Sequence, residues 1–236
     1  MILLDNGFLV PMDASDPVTH LEWFHGLLAP DLEWVIRRYV KSETIAVDVG
    51  ANLGFLSLLM ADQVGAKGHV FVIEPNPQMR IGIEKVFWLN GMKNYTILQY
   101  GCSDQKQEAF FLIDPKDHSK SSITESPTGL KVQLMPLDLL LENVDKPISF
   151  IKIDVEGHEP EVLAGAKKTL QKHRPAVVFE TGTHTEGELS RMEGLLSELS
   201  YEVVGILHEW GVENKKLSVD MTPKSHCNVL ALPTDK

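Results

Sequence analysis

Asp154, Glu156 and His158 stand at alternate positions in "IDVEGHEPE", where an apolar run gives way to a turn. Two carboxylates and an imidazole in that spacing can take a proton from an acceptor group or orient it, and the imidazole is basic near neutral pH without a large shift. A second concentration of chemistry lies in "TIAVDVGANLGFLS", residues 44 to 57. There an apolar run ends in Asp48, and a turn carrying Gly50, Asn52 and Gly54 comes next. Glu74 closes the next apolar run and Ser103-Asp104 come after the third. A carboxylate at Glu74 is placed to accept from both hydroxyls of a ribose. Asp48 could accept from the ligand directly or hold a water. Ser103 and Asp104 could meet a base, or simply cap their turn. Together these residues outline a site for a nucleoside that brings no compensating negative charge.

Other ligands fit less well. A dinucleotide turn would need glycines at 50, 52 and 55, where Asn52 and Phe55 fill the last two, and no Gly-Lys-Ser/Thr succeeds it to grip a phosphate. Asp154, Glu156, His158, Glu180 and His184 could supply oxygen and imidazole ligands to a divalent ion. Val162 stands where a metalloprotease motif would have its second histidine, and no metal is expected. The two cysteines, Cys102 and Cys227, are too far apart in sequence for a CxxC pair and read as free thiols.

The elements that position these residues are set by periodicity. "TIAVDV", "HVFVIE" and "YTILQY" read as buried strands separated by helices over "GFLSLLMADQ" and "PQMRIGIEKVFWLNG". "ISFIKID", a helix over "EPEVLAGAKKTLQKH", "PAVVFE" and a helix over "EGELSRMEGLLSELS" continue the alternation. This implies a parallel sheet with helices on both faces. "YEVVGIL" and "NVLALP" close the chain as a hairpin expected at the sheet edge. Upstream, Asn6-Gly7 marks a hairpin, and helices are expected near 18 to 28 and 31 to 41. Residues 1–43 read as a cap on a domain of 44–236. "EAFFLI" and "KVQLM" flank a long polar loop, Asp114 to Gly129, expected to wall the acceptor side.

The 236 residues carry 22 Lys+Arg against 33 Asp+Glu, a formal net charge of −11 that disfavours nucleic acid as a partner. No apolar run reaches the length of a membrane span, and Met1 opens without a basic leader, so a cytoplasmic protein without membrane partners is expected. Trp23 and Phe24 could serve a homodimer contact or pack on the domain.

"DVGANLGFLS", "VIEPNP", "GCSD" and "IKIDVEGHEPEVLAGAKKTLQKHRPAVVFET" resemble the successive motifs of the FkbM-type methyltransferases, over roughly residues 44 to 182. The resemblance implies a Rossmann-like class I methyltransferase fold, with a seven-stranded, mostly parallel sheet whose C-terminal hairpin is antiparallel. It implies S-adenosylmethionine as cofactor, with Asp48, Gly50, Asn52 and Gly54 around its methionine part. Glu74 would bind the ribose and Ser103 and Asp104 would face the adenine. Asp154 would lie close to the methyl, and Asp154, Glu156 or His158 would be catalytic. The implied acceptor is a hydroxyl on a small molecule, sugar or other secondary metabolite. A nicotinamide-dependent oxidoreductase and a non-catalytic cofactor-binding module are the alternatives.

Overall fold

The computed structural model describes residues 1–4, 7–11, 29–113, 121–124, 127–182, 184–208, 211–213, 217 and 227–234. The sheet is built on runs of aliphatic residues whose branched side chains suit a surface packed on both sides. β3 (Ile45–Val49) is buried at every position, as is all but one position of β10 (Ile148–Ile153). With β4 (His69–Ile73), β5 (Tyr95–Leu98) and β11 (Ala176–Glu180) they run parallel in the order β11-β10-β3-β4-β5. The first half of the chain builds outward from β3 to β5, and the second half starts again on the other side of β3. The order therefore reverses between β3 and β10, the place where such sheets bind ligands.

Helices cover both faces. α1 (Pro30–Tyr39), α2 (Phe55–Val64) and α3 (Pro77–Leu89) share one core with the N-terminal hairpin of β1 (Ile2–Leu3) and β2 (Leu9–Val10). α4 (Leu137–Leu140), α5 (Glu159–Ala164), α6 (Lys167–His173) and α7 (Glu186–Glu198) form the other. Among the described residues no helix is long and apolar enough to cross a membrane. The hairpin expected at Asn6-Gly7 is present in its strands and in Gly7, whose N–H donates to Leu4 O. The helix expected at 18 to 28, and Trp23 and Phe24, lie outside the described residues.

Three expectations are corrected. The main sheet has eight strands, not seven: β13 (Gly211–Glu213) pairs antiparallel with β12 (Tyr201–His208) and forms the edge. Three residues with one β-branched side chain are too short to show a period. Second, the closing hairpin, β12 with β14 (Asn228–Pro233), adjoins the parallel strands as expected but is not outermost, since β13 lies beyond it. β14 runs antiparallel between β11 and β12, because Val229, Leu230 and Ala231 are apolar enough to be buried on both faces.

Third, the helix expected across 159 to 173 is two helices broken at Gly165. A Cβ on Gly165 would stand 2.1 Å from the Ser103 carbonyl oxygen, so the chain can pass there only as glycine. α6 restarts under a borrowed cap: the Asp138 carboxylate accepts from the N–H groups of Lys168 and Thr169 and from the Thr169 hydroxyl.

Between β5 and α4 the chain makes a second sheet, β6-β9-β7-β8, from β6 (Gly101–Cys102), β7 (Gln107–Leu112), β8 (Ser122–Thr124) and β9 (Leu130–Met135). The expected polar loop thus contains a strand. Its residues 114–120 and 125–126 lie outside the described set.

Candidate active site

The registers Ile73↔Leu98, Val49↔Ile73, Ile153↔Val49 and Ile153↔Phe179 bring the carboxyl ends of β5, β4, β3, β10 and β11 into one row. Adjacent ends lie about 4.8 Å apart. Each delivers a polar residue to the same rim.

At the end of β3, Asp48 is fully buried and accepts a 2.5 Å hydrogen bond from Ser57 Oγ on α2. Lys152, the penultimate residue of the neighbouring β10 and paired in register with Asp48, is buried beside it. Its Nζ lies 3.5 Å from Asp48 Oδ1, 3.1 Å from Asp154 Oδ2 and 3.4 Å from the Gly50 carbonyl. Burial opposes the charge on Lys152, but Asp154 and Asp48 outweigh it and hold the ammonium above the ordinary lysine range. Lys152 opens the most specific stretch of the family resemblance, Lys152 to Glu161, but the sequence assigns it no role. Its legible signal is a lone cation inside the apolar run "ISFIKID".

The turn after β3 is pressed against the end of β10. Gly50 has φ 76°, and a Cβ there would lie 1.7 Å from the Asp154 carbonyl oxygen, so glycine is required by both conformation and space. Gly54 is the N-cap of α2 and packs on Ile83, away from the cleft wall. Asn52 donates its backbone N–H to Glu74 Oε2 at 2.9 Å, and Asn76 donates to Oε1 at 2.8 Å. Glu74 is thereby locked, yet each oxygen keeps acceptor capacity. Burial pushes its carboxyl up to about 7, against the pull of those two N–H groups, and Asp48 adds to the rise.

After β10 the chain turns sharply, with Glu156 at φ 55° and Gly157 at φ 101°. Glu159, 1% exposed, accepts from the N–H groups of Val155 (2.8 Å) and Gly157 (3.0 Å). From sequence it reads as an ordinary acidic first helical turn. His158 Nε2 lies 3.0 Å from Ser103 Oγ, and its Nδ1 is 3.6 Å from Glu161 Oε2. Burial pulls the His158 pKa down, Glu161, Glu159 and Asp104 pull it up, and the net shift is downward. Ser103 also donates to Asp104 Oδ1 at 3.2 Å.

These elements enclose a cleft with about 740 Å³ of empty space, open solvent included, within the range of small-molecule sites. Gly50, Asn52, Glu74, Asp154 and Glu156 line it. Asp48 supports it from beneath. Ser103, Asp104 and His158 form a separate group that does not line the cleft. The opposite wall is apolar and is not legible as a site in the sequence: Met79 and Tyr100 from the main domain, with Phe111, Ile123 and Val132 from the second sheet. One oxygen each from Asp154, Glu156 and Glu180 gather within 4.8 Å of one another. Cys102, another lining residue, is a free thiol whose pKa burial pushes up to about 12, and Cys227 Sγ lies 3.3 Å from Thr181 Oγ1.

The geometry has counterparts. The Methyltransferase FkbM domain family matches residues 48–210. Hexuronic acid methyltransferase AglP of Haloferax volcanii is 28% identical over 135 residues, 56% of this chain and 53% of AglP, so the chain spans about half the length of that curated relative. Two solved structures share the fold. Methyltransferase FkbM from Methylobacillus flagellatus KT has a TM-score of 0.54 at 19% identity, covering 94% of this chain and 56% of its own. Aeropyrum pernix fibrillarin, solved with natively bound S-adenosyl-L-methionine, has a TM-score of 0.50 at 12% identity over 85% of this chain and 73% of its own. With the family match spanning more than half of its residues and the fold in agreement, the chain belongs to the FkbM methyltransferase family, and S-adenosylmethionine is its cofactor.

Proposed function

We propose that the protein transfers the methyl group to a hydroxyl of a sugar or another small polyhydroxylated molecule, with the cofactor laid along the row of strand ends. The observation that carries this reading is Glu74, a buried carboxylate with spare acceptor capacity in the middle of that row. A base, a ribose and an amino acid are joined in line. With the ribose on Glu74, the methionine part lies over the Gly50–Asn52 turn and the base falls on the other side, above β5 and against Phe111, Ile123 and Val132. Asn52 fits this placement: its Oδ1 is buried without a hydrogen-bond partner among the described residues, an acceptor suited to an ammonium group. Ser121 and Ile123, the cleft-lining residues of the loop expected on the acceptor side, belong by this reading to the cofactor side.

When bound, the cofactor supplies the methyl from its sulfonium. The chain's own residues then have three tasks. Asp154, held by Lys152, orients the acceptor. Glu156, two residues on and lining the same cleft, takes the hydroxyl proton. His158, with Ser103 on its Nε2, stays neutral and steadies the wall behind them. The acceptor enters at the ends of β10 and β11, where the acids leave no place for a polyphosphate. AglP acts on a hexuronic acid by its name, which supports a carbohydrate acceptor.

The test is a calorimetric titration with S-adenosylhomocysteine, repeated on Glu74→Ala and after chelator treatment, and then a methyl-transfer screen on sugars. Micromolar binding, about 8 kcal/mol, that survives chelation and is lost in the variant is expected. Absence of binding to the intact protein would sink the reading.

A further inference from the structure

The turn that carries Asp154 and Glu156 into the cleft is held in an unfavourable shape, and the group that holds it lies outside the cleft. A non-glycine residue in the left-handed region, such as Glu156, costs on the order of 1 kcal/mol and persists only where its surroundings impose it. Here the imposing group is the Glu159 carboxylate, which accepts from the N–H groups on either side of Glu156. A carboxylate 1% exposed needs charge compensation beyond two amides. Behind it stands His184, 3% exposed, with Nε2 2.7 Å from Glu159 Oε2, close enough for an ion pair though not aligned as a hydrogen bond. His184 does not line the cleft.

His184 is itself fixed by its neighbour in the chain. Thr185 is the N-cap of α7 in a reciprocal capping box: its N–H donates to Glu188 Oε2 and its hydroxyl accepts from the Glu188 N–H. A continuous set of contacts therefore runs from the start of α7 through His184 and Glu159 to the turn at 155–157.

We infer that His184 and Glu159 are positioning residues for this turn: His184 in its protonated form compensates Glu159, and Glu159 thereby keeps Asp154 and Glu156 presented to the cleft. The inference takes its catalytic meaning from the proposed transfer, but the geometry can be tested without it. Burial pulls the His184 pKa down, but contact with Glu159 and the fields of Glu188 and Glu161 prevail, so it lies above the ordinary value. Across the turn, His158 and Arg191 sit against Glu161. A histidine whose folded pKa is raised gives its full stabilisation below its unfolded value near 6.5 and loses it as pH climbs through the folded one.

The experiment is amide hydrogen exchange on the full chain without acceptor, corrected for intrinsic rates, for wild type, His184→Gln and Glu159→Gln between pH 6 and pH 9. The peptide over residues 152–163 is expected to exchange roughly tenfold faster in either variant at pH 6, as loss of one charge-assisted anchor implies. The peptide over residues 44–58 should keep its wild-type rate. Wild type should loosen at 152–163 as pH rises, and His184→Gln should not. Unchanged exchange at 152–163, or equal loosening of both peptides, overturns the inference. Should both variants fail to fold, the wild-type pH series decides alone, because a flat series is incompatible with the proposed role. S-adenosylhomocysteine binding measured alongside keeps the two readings apart: binding without the exchange pattern defeats only this inference, and the pattern without binding defeats only the cofactor placement.

Discussion

Glu74 shows how one side chain makes ligand binding depend on pH. Its folded carboxyl titrates at about 7 against an ordinary 4.5, with burial as the main cause. A protonated carboxyl loses acceptor capacity that the ribose hydroxyls need, so S-adenosylhomocysteine should bind more tightly as pH rises. From pH 6 to pH 8 the gain should be roughly tenfold in calorimetry, and it should vanish in Glu74→Gln. For the unliganded protein the sign is opposite: the unfolded chain releases this proton first, so the group costs stability as pH rises from about 4.5 to about 7. A flat wild-type binding profile would show that Glu74 is ionised throughout. That Glu74 ends a strand is plain in "HVFVIE"; that it is clamped by two backbone amides is not, because both donors belong to turns whose shape depends on the neighbouring strand.

At the scale of elements, Gly165 and Gly194 make a contrasting pair. A Cβ on Gly165 meets the Ser103 carbonyl at 2.1 Å, whereas one on Gly194, inside α7, meets nothing within 4 Å. Gly165→Ala should cost about 1–3 kcal/mol in urea unfolding, and Gly194→Ala should add about 0.5–1 kcal/mol. Equal effects would mean that α5 and α6 can part freely from the Ser103 backbone that follows β6. The same comparison explains what the sequence disclosed. The parallel strands, most of the helices and the polar residues at the strand ends are set by local periodicity. The break at Gly165, the insertion of β14 and the edge strand β13 are not, since each is decided by a partner distant in sequence. The apolar cleft wall is hidden likewise: Phe111 and Val132 read as ordinary strand residues, and Ile123 as part of a polar loop, until the second sheet forms beside the first.

For the molecule as a whole, Arg174 joins three chain segments. It ends α6 with φ 53°, donates to the carbonyls of Leu199, Ser200 and Thr234, and lies 4.9 Å from the centroid of the Tyr201 ring. Arg174→Ala should lower global stability by about 2 kcal/mol in denaturant melts and leave S-adenosylhomocysteine affinity unchanged. A loss of affinity would reveal coupling between the C-terminal strands and the cleft. The charge group of buried Asp48 and Lys152 with cleft-lining Asp154 also constrains how such a chain can change over generations. Replacing Lys152 alone leaves Asp48 without its counter-ion inside the protein, and replacing either acid alone weakens the field that keeps the lysine charged. Single steps are penalised at Asp48 and Lys152, and Asp154 is tied to the same pair while it serves the cleft, so the three positions, though about a hundred residues apart in sequence, should be inherited as one unit.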